Sequence, residues 1–129
     1  MDRILYPGQK TEKDLDMKTL TTYRDGWASG DTDKIMSVVQ KETYIFTWVP
    51  ANDQVKTERF PEFFEAFKKN AEAVSGNKFL IKWSNMIQRK EGDVIYELGD
   101  WIIEGFTRGT YINAVKDGEI LWEMATTNQ

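Results

Sequence analysis

The sequence predicts an α+β domain in which three N-terminal helices pack on a strongly curved, antiparallel or mixed β-sheet, forming a cone-shaped half barrel with an internal pocket. Helical periodicity dominates the first half of the chain, and strand-like runs separated by turn residues fill the second. Helices followed by antiparallel strands predict helices on one face of a sheet. Gly99 and Gly105 interrupt the longest strand, and such glycines are typical of the bulges and bends that curve a sheet.

The three helices are predicted from apolar residues that recur every three or four positions. The first spans about Thr11–Ser29 and ends at Gly30, because glycine closes a helix without steric cost. Asp31 then caps a short second helix, and the third has Pro61 in its first turn. We expect residues 1–10 to form an arm and residues 11–129 to form a single domain.

The strands are predicted from β-branched and aromatic runs bounded by turn residues. An Asp-Gly pair at 117–118 is a favoured hairpin turn, and a second turn lies at 90–93. A short extended piece is expected around Val55. The predicted strands are Thr43–Val49, Lys78–Arg89, Val94–Phe106, Thr110–Val115 and Ile120–Thr126.

Two missing residue types limit the possible chemistry. The chain of 129 residues contains no Cys and no His, which removes thiolate nucleophiles, cysteine metal sites and the commonest general base. A zinc enzyme or a Ser-His-Asp hydrolase within this chain is therefore excluded. Acid/base chemistry would fall to Asp, Glu, Tyr, Lys or Arg. We expect neither a metal ion nor a cofactor.

The charge pattern argues against nucleic acid and membranes as partners. The net charge is −4, and basic residues do not cluster into a surface that would bind phosphates. No apolar run approaches the ~18–20 residues of a membrane helix. The first residues lack the apolar core of a signal peptide, so a soluble cytoplasmic protein is expected.

One segment carries a resemblance to a known superfamily. From Tyr23 to Val39 the chain reads YRDGWASGDTDKIMSVV: an aromatic-bearing helix, a Gly-Asp corner and a second helix, followed by a strand ending near Pro50. A third helix and a closing hairpin come in the same order. This arrangement resembles the nuclear-transport-factor-2-like superfamily, which includes ketosteroid isomerases, SnoaL-like polyketide cyclases and scytalone dehydratase. The resemblance spans nearly the whole chain from about residue 12.

The resemblance carries one isomerase residue onto this chain. Tyr23 stands eight residues before Asp31, where ketosteroid isomerases have a tyrosine that donates to the developing oxyanion. The isomerase base, an Asp just before a Pro, is absent from Thr47–Pro50. The second oxyanion donor would fall near Thr110, which is not acidic. A working ketosteroid isomerase is therefore not expected.

Asp100 is the leading candidate for moving a proton, with Tyr23 as its partner. SnoaL-like cyclases, which the chain resembles, imply one acidic residue in the cavity. Burial would raise the pKa of such a carboxyl toward a useful value. A bulge at Gly99 would exchange the faces of the strand beyond it, so either Asp100 or Trp101 faces the cone. Weaker candidates for the same role are Glu97, Glu104 and Glu123.

Aromatic residues indicate a binding site for a small, flat, apolar molecule. Trp offers a large apolar face with one N–H donor, and Asn113 could orient a carbonyl or a water. Aromatic residues are also enriched in dimer interfaces, and the resemblance implies a homodimer through the outer face of the sheet. The predicted ligand-binding residues are Trp27, Trp48, Phe64, Phe67, Trp83, Asn113 and Trp122.

Two functions remain open at this point. The first is a cofactor-free isomerase, cyclase or dehydratase that acts on a small apolar ring-bearing molecule by acid/base catalysis. The second is a non-catalytic module of the same fold that binds a hydrophobic ligand or serves as a dimerising scaffold. The list of polar side chains that face the cavity distinguishes them, because acid/base chemistry needs an ionisable group there.

Overall fold

The computed structural model describes residues 12–76 and 79–128, and the predicted arm over residues 1–10 lies outside them. Within these described residues, three helices and six strands follow one another much as the sequence predicts. The helices are α1 (Glu12–Ser29), α2 (Thr32–Met36) and α3 (Phe60–Ser75). The strands are β1 (Phe46–Val49), β2 (Lys56–Glu58), β3 (Lys82–Glu91), β4 (Val94–Ile103), β5 (Thr107–Lys116) and β6 (Glu119–Thr126).

The six strands form one mixed sheet in the order β2-β1-β6-β5-β4-β3. The four long strands β3 to β6 form an antiparallel meander, and β1 joins its edge parallel to β6. The sheet is not closed, so its concave face needs a cover. The three helices supply that cover, and the predicted α+β cone is confirmed.

Aromatic side chains fill the space between the helices and the sheet. The α3 stripe predicted from periodicity is buried at Phe60, Phe64, Phe67 and Ala71. Val74, the last residue of that predicted stripe, is exposed. The indole of Trp27 on α1 packs edge-on against Phe64, with ring centroids 4.8 Å apart, and against Phe60 at 5.3 Å. Edge-to-face aromatic pairs of this kind contribute beyond their buried area. The core therefore joins α1, α3 and β1 into one apolar wall.

The β5–β6 hairpin turn is fastened to α1. Asp117 and Gly118 both have positive φ, as the two-residue turn of a right-twisted hairpin requires. The backbone N–H of Gly118 donates to the buried carboxylate of Asp16 at 2.7 Å, and the Thr19 hydroxyl donates to the Gly118 carbonyl at 2.9 Å. These two bonds fix α1 against the sheet and so fix the position of the next turn of α1, where Tyr23 lies.

The alternation along β4 is unbroken, and this settles which face each of its residues occupies. The irregularity expected near Gly99 lies instead on β3, between Ser84 and Ile87. Gly99 is directly opposite Tyr111, and a Cβ at Gly99 would come within 2.9 Å of the Tyr111 ring. Glycine is therefore required there for close packing of an aromatic ring, and no bulge forms on β4 at this position.

Candidate functional site

Three polar side chains form a row across the inner face of the sheet. Glu97 on β4 is opposite Asn113 on β5, and Asn113 is opposite Glu123 on β6. All three are buried, in an interior that is otherwise mostly apolar. Acids are almost never fully buried unless they are paired or hydrogen-bonded. The partners of the two carboxyl groups therefore decide what the row can do.

Glu123 is held by hydroxyl and amide donors, and no cation pairs with it among the described residues. The Tyr23 hydroxyl donates to Oε2 of Glu123 at 2.7 Å. Because that proton is committed, the Tyr44 hydroxyl donates to Tyr23 Oη at 2.6 Å. Nδ2 of Asn113 donates to the other carboxyl oxygen, Oε1, over a longer 3.3 Å. Oε1 is thus the more weakly bonded oxygen and the natural position for a proton.

Burial dominates the protonation of Glu123. Desolvation raises the pKa of Glu123 from its ordinary 4.5 to about 8, and the nearby charge of Glu97 adds to the rise. The hydrogen bonds from Tyr23 and Asn113 oppose it without reversing it. Burial and the Glu123 charge also raise the pKa of Tyr23 and of Tyr44 well above the usual range. The two phenols therefore stay protonated and act as donors.

Glu97 lies in a different environment, although it is two strands away in the same row. Nη1 of Arg24 lies 2.6 Å from both of its carboxyl oxygens, forming an ion pair. The Tyr111 hydroxyl and Nε2 of Gln88 each donate to the same carboxylate at 2.8 Å. With one cation and two neutral donors, this group has the partners that a buried charge requires. Glu97 therefore has a cation and two neutral donors as partners, whereas Glu123 has hydroxyl and amide donors alone.

The space beside Glu123 is small in this conformation. The cavity volume is ≈ 30 Å³, enough for about two water molecules. A larger open groove of ≈ 640 Å³ lies next to it and shares the side chains of Trp48 and Phe67 with it. The cavity lining consists of Tyr23, Arg24, Trp27, Trp48, Phe67, Ile81, Trp83, Trp101, Tyr111, Asn113, Glu123 and Ala125.

The structure brings most of the predicted site residues together. Tyr23, Trp27, Trp48, Phe67, Trp83 and Asn113 all line the cavity, from α1, β1, α3, β3 and β5. Two predicted ligand-binding residues lie elsewhere. Phe64 is fully buried behind Trp27 in the core. Trp122 is half-buried on the outer face of the sheet, where its ring lies beside that of Tyr96.

Asp100 does not face the interior, and this corrects the leading sequence hypothesis. Its carboxylate accepts a hydrogen bond from Nδ2 of Asn85 at 2.7 Å and lines an open depression of ≈ 390 Å³ on the outer face. Trp101 points inward instead, with its indole N–H donating to backbone carbonyls of β5 and β6. Because the β4 alternation is unbroken, the role proposed for Asp100 has no geometric basis.

The acidic side chain that was expected in the cavity is that of Glu123, not that of Asp100. Sequence reasoning named Glu123 and Glu97 only as weaker candidates, and it did not identify Arg24, Tyr44 or Tyr111. The available signal was the alternation of Ile95, Glu97, Trp101 and Ile103, which places Glu97 among buried apolar residues. That signal was ambiguous because the opposite face of the strand is also rich in apolar residues. Within the described residues, no cluster of three acidic side chains forms a metal site.

Comparison with known proteins identifies the fold. No protein-family model matches the chain, and no curated protein matches it. An NTF2-like protein of unknown function from Shewanella baltica OS155 superposes with a TM-score of 0.67 at 13% identity, over 94% of this chain and 99% of that one. Among the residues described, no helix combines the length and apolarity needed to cross a membrane.

Two further similar structures are of proteins linked to biosynthesis. A phenazine biosynthesis-related protein of Pseudomonas aeruginosa has a TM-score of 0.57 at 10% identity, over 88% of this chain and 79% of that one. IdmH of Streptomyces antibioticus, named as a candidate polyketide cyclase, has a TM-score of 0.58 at 11% identity, over 88% and 91%. The resemblance in the sequence is thereby confirmed as an NTF2-like fold. At such identities the likeness shows the fold alone, so function rests on the site.

The raised pKa of Glu123 predicts a specific dependence of stability on pH. An acid whose pKa is higher in the folded state stabilises the fold fully below about pH 4.5, and this contribution is lost as pH rises toward 8. Relative to Glu123→Gln, which stays neutral, the free energy of unfolding of the native protein should fall by on the order of a few kcal/mol across that range. Urea denaturation at pH 5 to 9 measures it. Parallel curves for the two proteins would contradict the raised pKa.

The Glu97 ion pair predicts a large effect from a single substitution. Arg24→Met leaves a fully buried carboxylate without its cation, which should cost about 3 kcal/mol of unfolding free energy. Adding Glu97→Gln should restore part of that loss. Arg59→Met removes a highly exposed pair with Glu62 and should leave stability almost unchanged. Equal midpoints for Arg24→Met and Arg59→Met in urea denaturation would show that the pair is not structural.

Proposed function

We propose that the protein is a cofactor-free acid/base enzyme that moves a proton on a small, apolar, ring-bearing molecule, with Glu123 as the catalytic residue. The observation that supports this most strongly is a fully buried carboxyl group that lines the cavity and has its pKa raised to about 8. A carboxylate of that basicity is a far stronger base than one in water, and a useful fraction of it is ionised near neutral pH.

The proposed step is proton abstraction beside a carbonyl group. Oε1 of Glu123 takes the proton from the α-carbon, and the electron pair of the broken C–H bond delocalises onto the carbonyl oxygen as an enolate. The protonated carboxyl then returns the proton to the same or another carbon, which completes an isomerisation or begins a cyclisation or dehydration. No oxidant or second substrate is required. Oε1 suits this role because its bond from Asn113 is the longer one, at 3.3 Å.

Tyr23 has a positioning role in this proposal. The resemblance to ketosteroid isomerases implied that Tyr23 donates to the substrate, but its hydroxyl proton is engaged with Oε2 of Glu123. Tyr44 completes the chain by donating to Tyr23. Two phenols in series orient the carboxyl and stabilise its ionised form without adding a charge of their own. Tyr23 therefore acts on the substrate through Glu123.

The substrate reaches Glu123 through the aromatic wall that separates the cavity from the groove. Trp48 and Phe67 line both spaces, and their ring centroids are 5.3 Å apart. In this proposal one of these rings rotates to admit the substrate, because the ≈ 30 Å³ cavity alone is too small for a ring and the ≈ 640 Å³ groove lies beside it. An apolar ring would then lie among Trp48, Phe67 and Trp101 with its carbonyl end toward Glu123. The biosynthetic roles of two structural neighbours, one related to phenazine biosynthesis and one a candidate polyketide cyclase, agree with chemistry on such molecules.

Deuterium exchange tests this function before the natural substrate is known. The α-protons of 2-tetralone, an enolisable bicyclic ketone, should exchange with D₂O faster in the presence of the protein. Glu123→Gln should lower the catalysed rate at least ~100-fold, because a neutral amide cannot take the proton. The rate should rise with pH toward a plateau and reach half of it near pH 8. Exchange is followed by ¹H NMR.

Asp100→Asn is the matched control for this experiment. It removes a carboxylate from the outer face of the same sheet, so the exchange rate should stay unchanged. A Glu123→Gln protein as active as the native one would exclude Glu123 as the base. Failure of the native protein to accelerate exchange in 2-tetralone or related ring ketones would count against the enzyme function itself.

The second candidate function is a dimerising scaffold, and the outer face of the sheet favours it. Leu98, Ile112 and Met124 lie side by side across β4, β5 and β6, and Leu98 and Met124 are 41% and 39% exposed. Tyr96, Ala114 and Trp122 form the next row. Apolar surface of this kind is typical of an interface. We propose a homodimer through this face, whether or not the interior is catalytic, and a cytoplasmic location.

The oligomeric state follows from light scattering coupled to size-exclusion chromatography. The molar mass of the native protein measured by light scattering should be twice the 15.0 kDa of one chain. Leu98→Lys combined with Met124→Lys places charges at the centre of the proposed interface and should give a monomer. Val74→Lys, at an exposed apolar position on α3, is the control and should leave the dimer intact. A native protein that is monomeric at about 100 μM would contradict the proposal.

A further inference from the structure

The open groove of ≈ 640 Å³ beside the cavity has a floor of aromatic rings. The ring centroids of Trp48 and Phe63 are 5.4 Å apart, and those of Phe63 and Phe67 are 5.8 Å apart. Phe106 extends the row, with its centroid 5.7 Å from that of Phe67. Trp48, Phe63 and Phe106 are only partly buried. Partly exposed rings in a concave space of this size are typical of a binding site for a small ring-bearing molecule.

Among the residues that the structure describes, one charged side chain lines this groove, and it is the cation Lys56. The whole chain carries a net charge of −4, so the positive charge of the groove is a local feature. The register of the sheet explains the position of this lysine. Lys56 on β2 is directly opposite Trp48 on β1, and the side chains of directly opposite residues lie on the same face of a sheet. The ammonium group is therefore placed beside the aromatic floor.

The charge of Lys56 is only weakly engaged within the chain. Nζ of Lys56 lies 3.8 Å from Oδ2 of Asp53, and the two side chains are 45% and 63% exposed. An ion pair that is this long and this exposed contributes little, because water screens both charges. The other polar residues of the groove, Asn70, Thr107 and Thr127, are neutral. The ammonium group of Lys56 is therefore available to an anionic group on a ligand.

We propose that the groove binds a ring-bearing carboxylic acid, with its carboxylate on Nζ of Lys56 and its ring against the aromatic floor. Ammonium groups bind carboxylates through charge-assisted hydrogen bonds, and one lysine balances one negative charge. This assignment rests on the proposed function for the reaction at Glu123, and it adds that the substrate is a ring-bearing keto acid. A carboxylate held at Lys56 leaves the other end of the molecule to enter between Trp48 and Phe67.

Binding of three probes with the same ring system tests this proposal. The probes are 2-naphthoate, which is an anion; 2-naphthamide, which is neutral; and 2-naphthylmethylamine, which is a cation at neutral pH. Titration calorimetry in about 20 mM NaCl should give a Kd for 2-naphthoate about fivefold below that for 2-naphthamide, with the amine binding most weakly. The preference for the anion should shrink in about 500 mM NaCl, because salt screens an exposed charge.

Substitutions assign the charge and the ring contacts separately. Lys56→Met keeps the apolar stem and removes the charge, so the Kd of 2-naphthoate should rise to that of 2-naphthamide, which should not change. Asp53→Asn removes the weak internal partner of Lys56 and should lower the Kd of 2-naphthoate alone. Phe63→Ala shortens the aromatic floor and should weaken all three probes by the same factor.

Lys82→Met is the matched control for Lys56→Met. It makes the same change of net charge on β3, at the opposite edge of the sheet from β2, and Lys82 is exposed. The Kd values of the three probes should be those of the native protein. A rise in the Kd of 2-naphthoate equal to that in Lys56→Met would show that the anion responds to the overall charge of the protein and not to the groove.

Three results would overturn the proposal: equal Kd values for 2-naphthoate and 2-naphthamide, no binding of 2-naphthoate up to its solubility limit, or an unchanged preference for the anion in Lys56→Met. These outcomes are separate from the test of catalysis, because binding needs no turnover. Deuterium exchange in 2-tetralone without a preference for the anion would leave the enzyme function standing and exclude the carboxylate site. The preference without exchange would leave the carboxylate site standing and exclude the enzyme function.

Discussion

The rest of the site depends on one constraint: the carboxyl group of Glu123 lies in an aromatic interior without a cation beside it among the described residues. Contact with water would bring the pKa of Glu123 back toward its ordinary value, so the helices must close the open sheet tightly over this carboxyl group. The packing of Trp27 with Phe64 and the fastening of the β5–β6 turn to Asp16 provide that closure. The raised pKa of Glu123 is therefore a property of the whole fold, because desolvation is its largest cause.

Glu97 and Glu123 lie in the same row, but the partners of their carboxyl groups differ. Arg24 forms an ion pair with Glu97, and Tyr111 and Gln88 also donate to the Glu97 carboxyl group. Glu123 has hydroxyl and amide donors only, so it can gain and lose a proton within a moderate pH range. The Glu97 charge also raises the pKa of Glu123. Two acids held in different environments are a recurring arrangement in acid/base sites.

The fold could be predicted from the sequence because its signals are local. Helical spacing placed α1 and α3, Asp31 marked the start of α2, and the Asp-Gly turn marked the last hairpin. The site was harder to predict, because both faces of β4 are rich in apolar residues. One face packs into the core, and the other carries exposed apolar residues such as Leu98. Composition therefore did not reveal which face was internal. Asp100 and Glu123 were distinguished only by the register of the strands, which depends on contacts distant in the chain.

The most direct measurement is the pKa of Glu123 itself, from the side-chain carboxyl ¹³C shift in protein labelled at glutamate. The signal is assigned by its loss in Glu123→Gln, and the titration is followed from pH 4 to pH 10. A midpoint near 8 is expected, because the carboxyl is fully buried and no cation pairs with it among the described residues. A midpoint between 4 and 5 would mean that water or a cation reaches Glu123, and the proposed chemistry would then have no base.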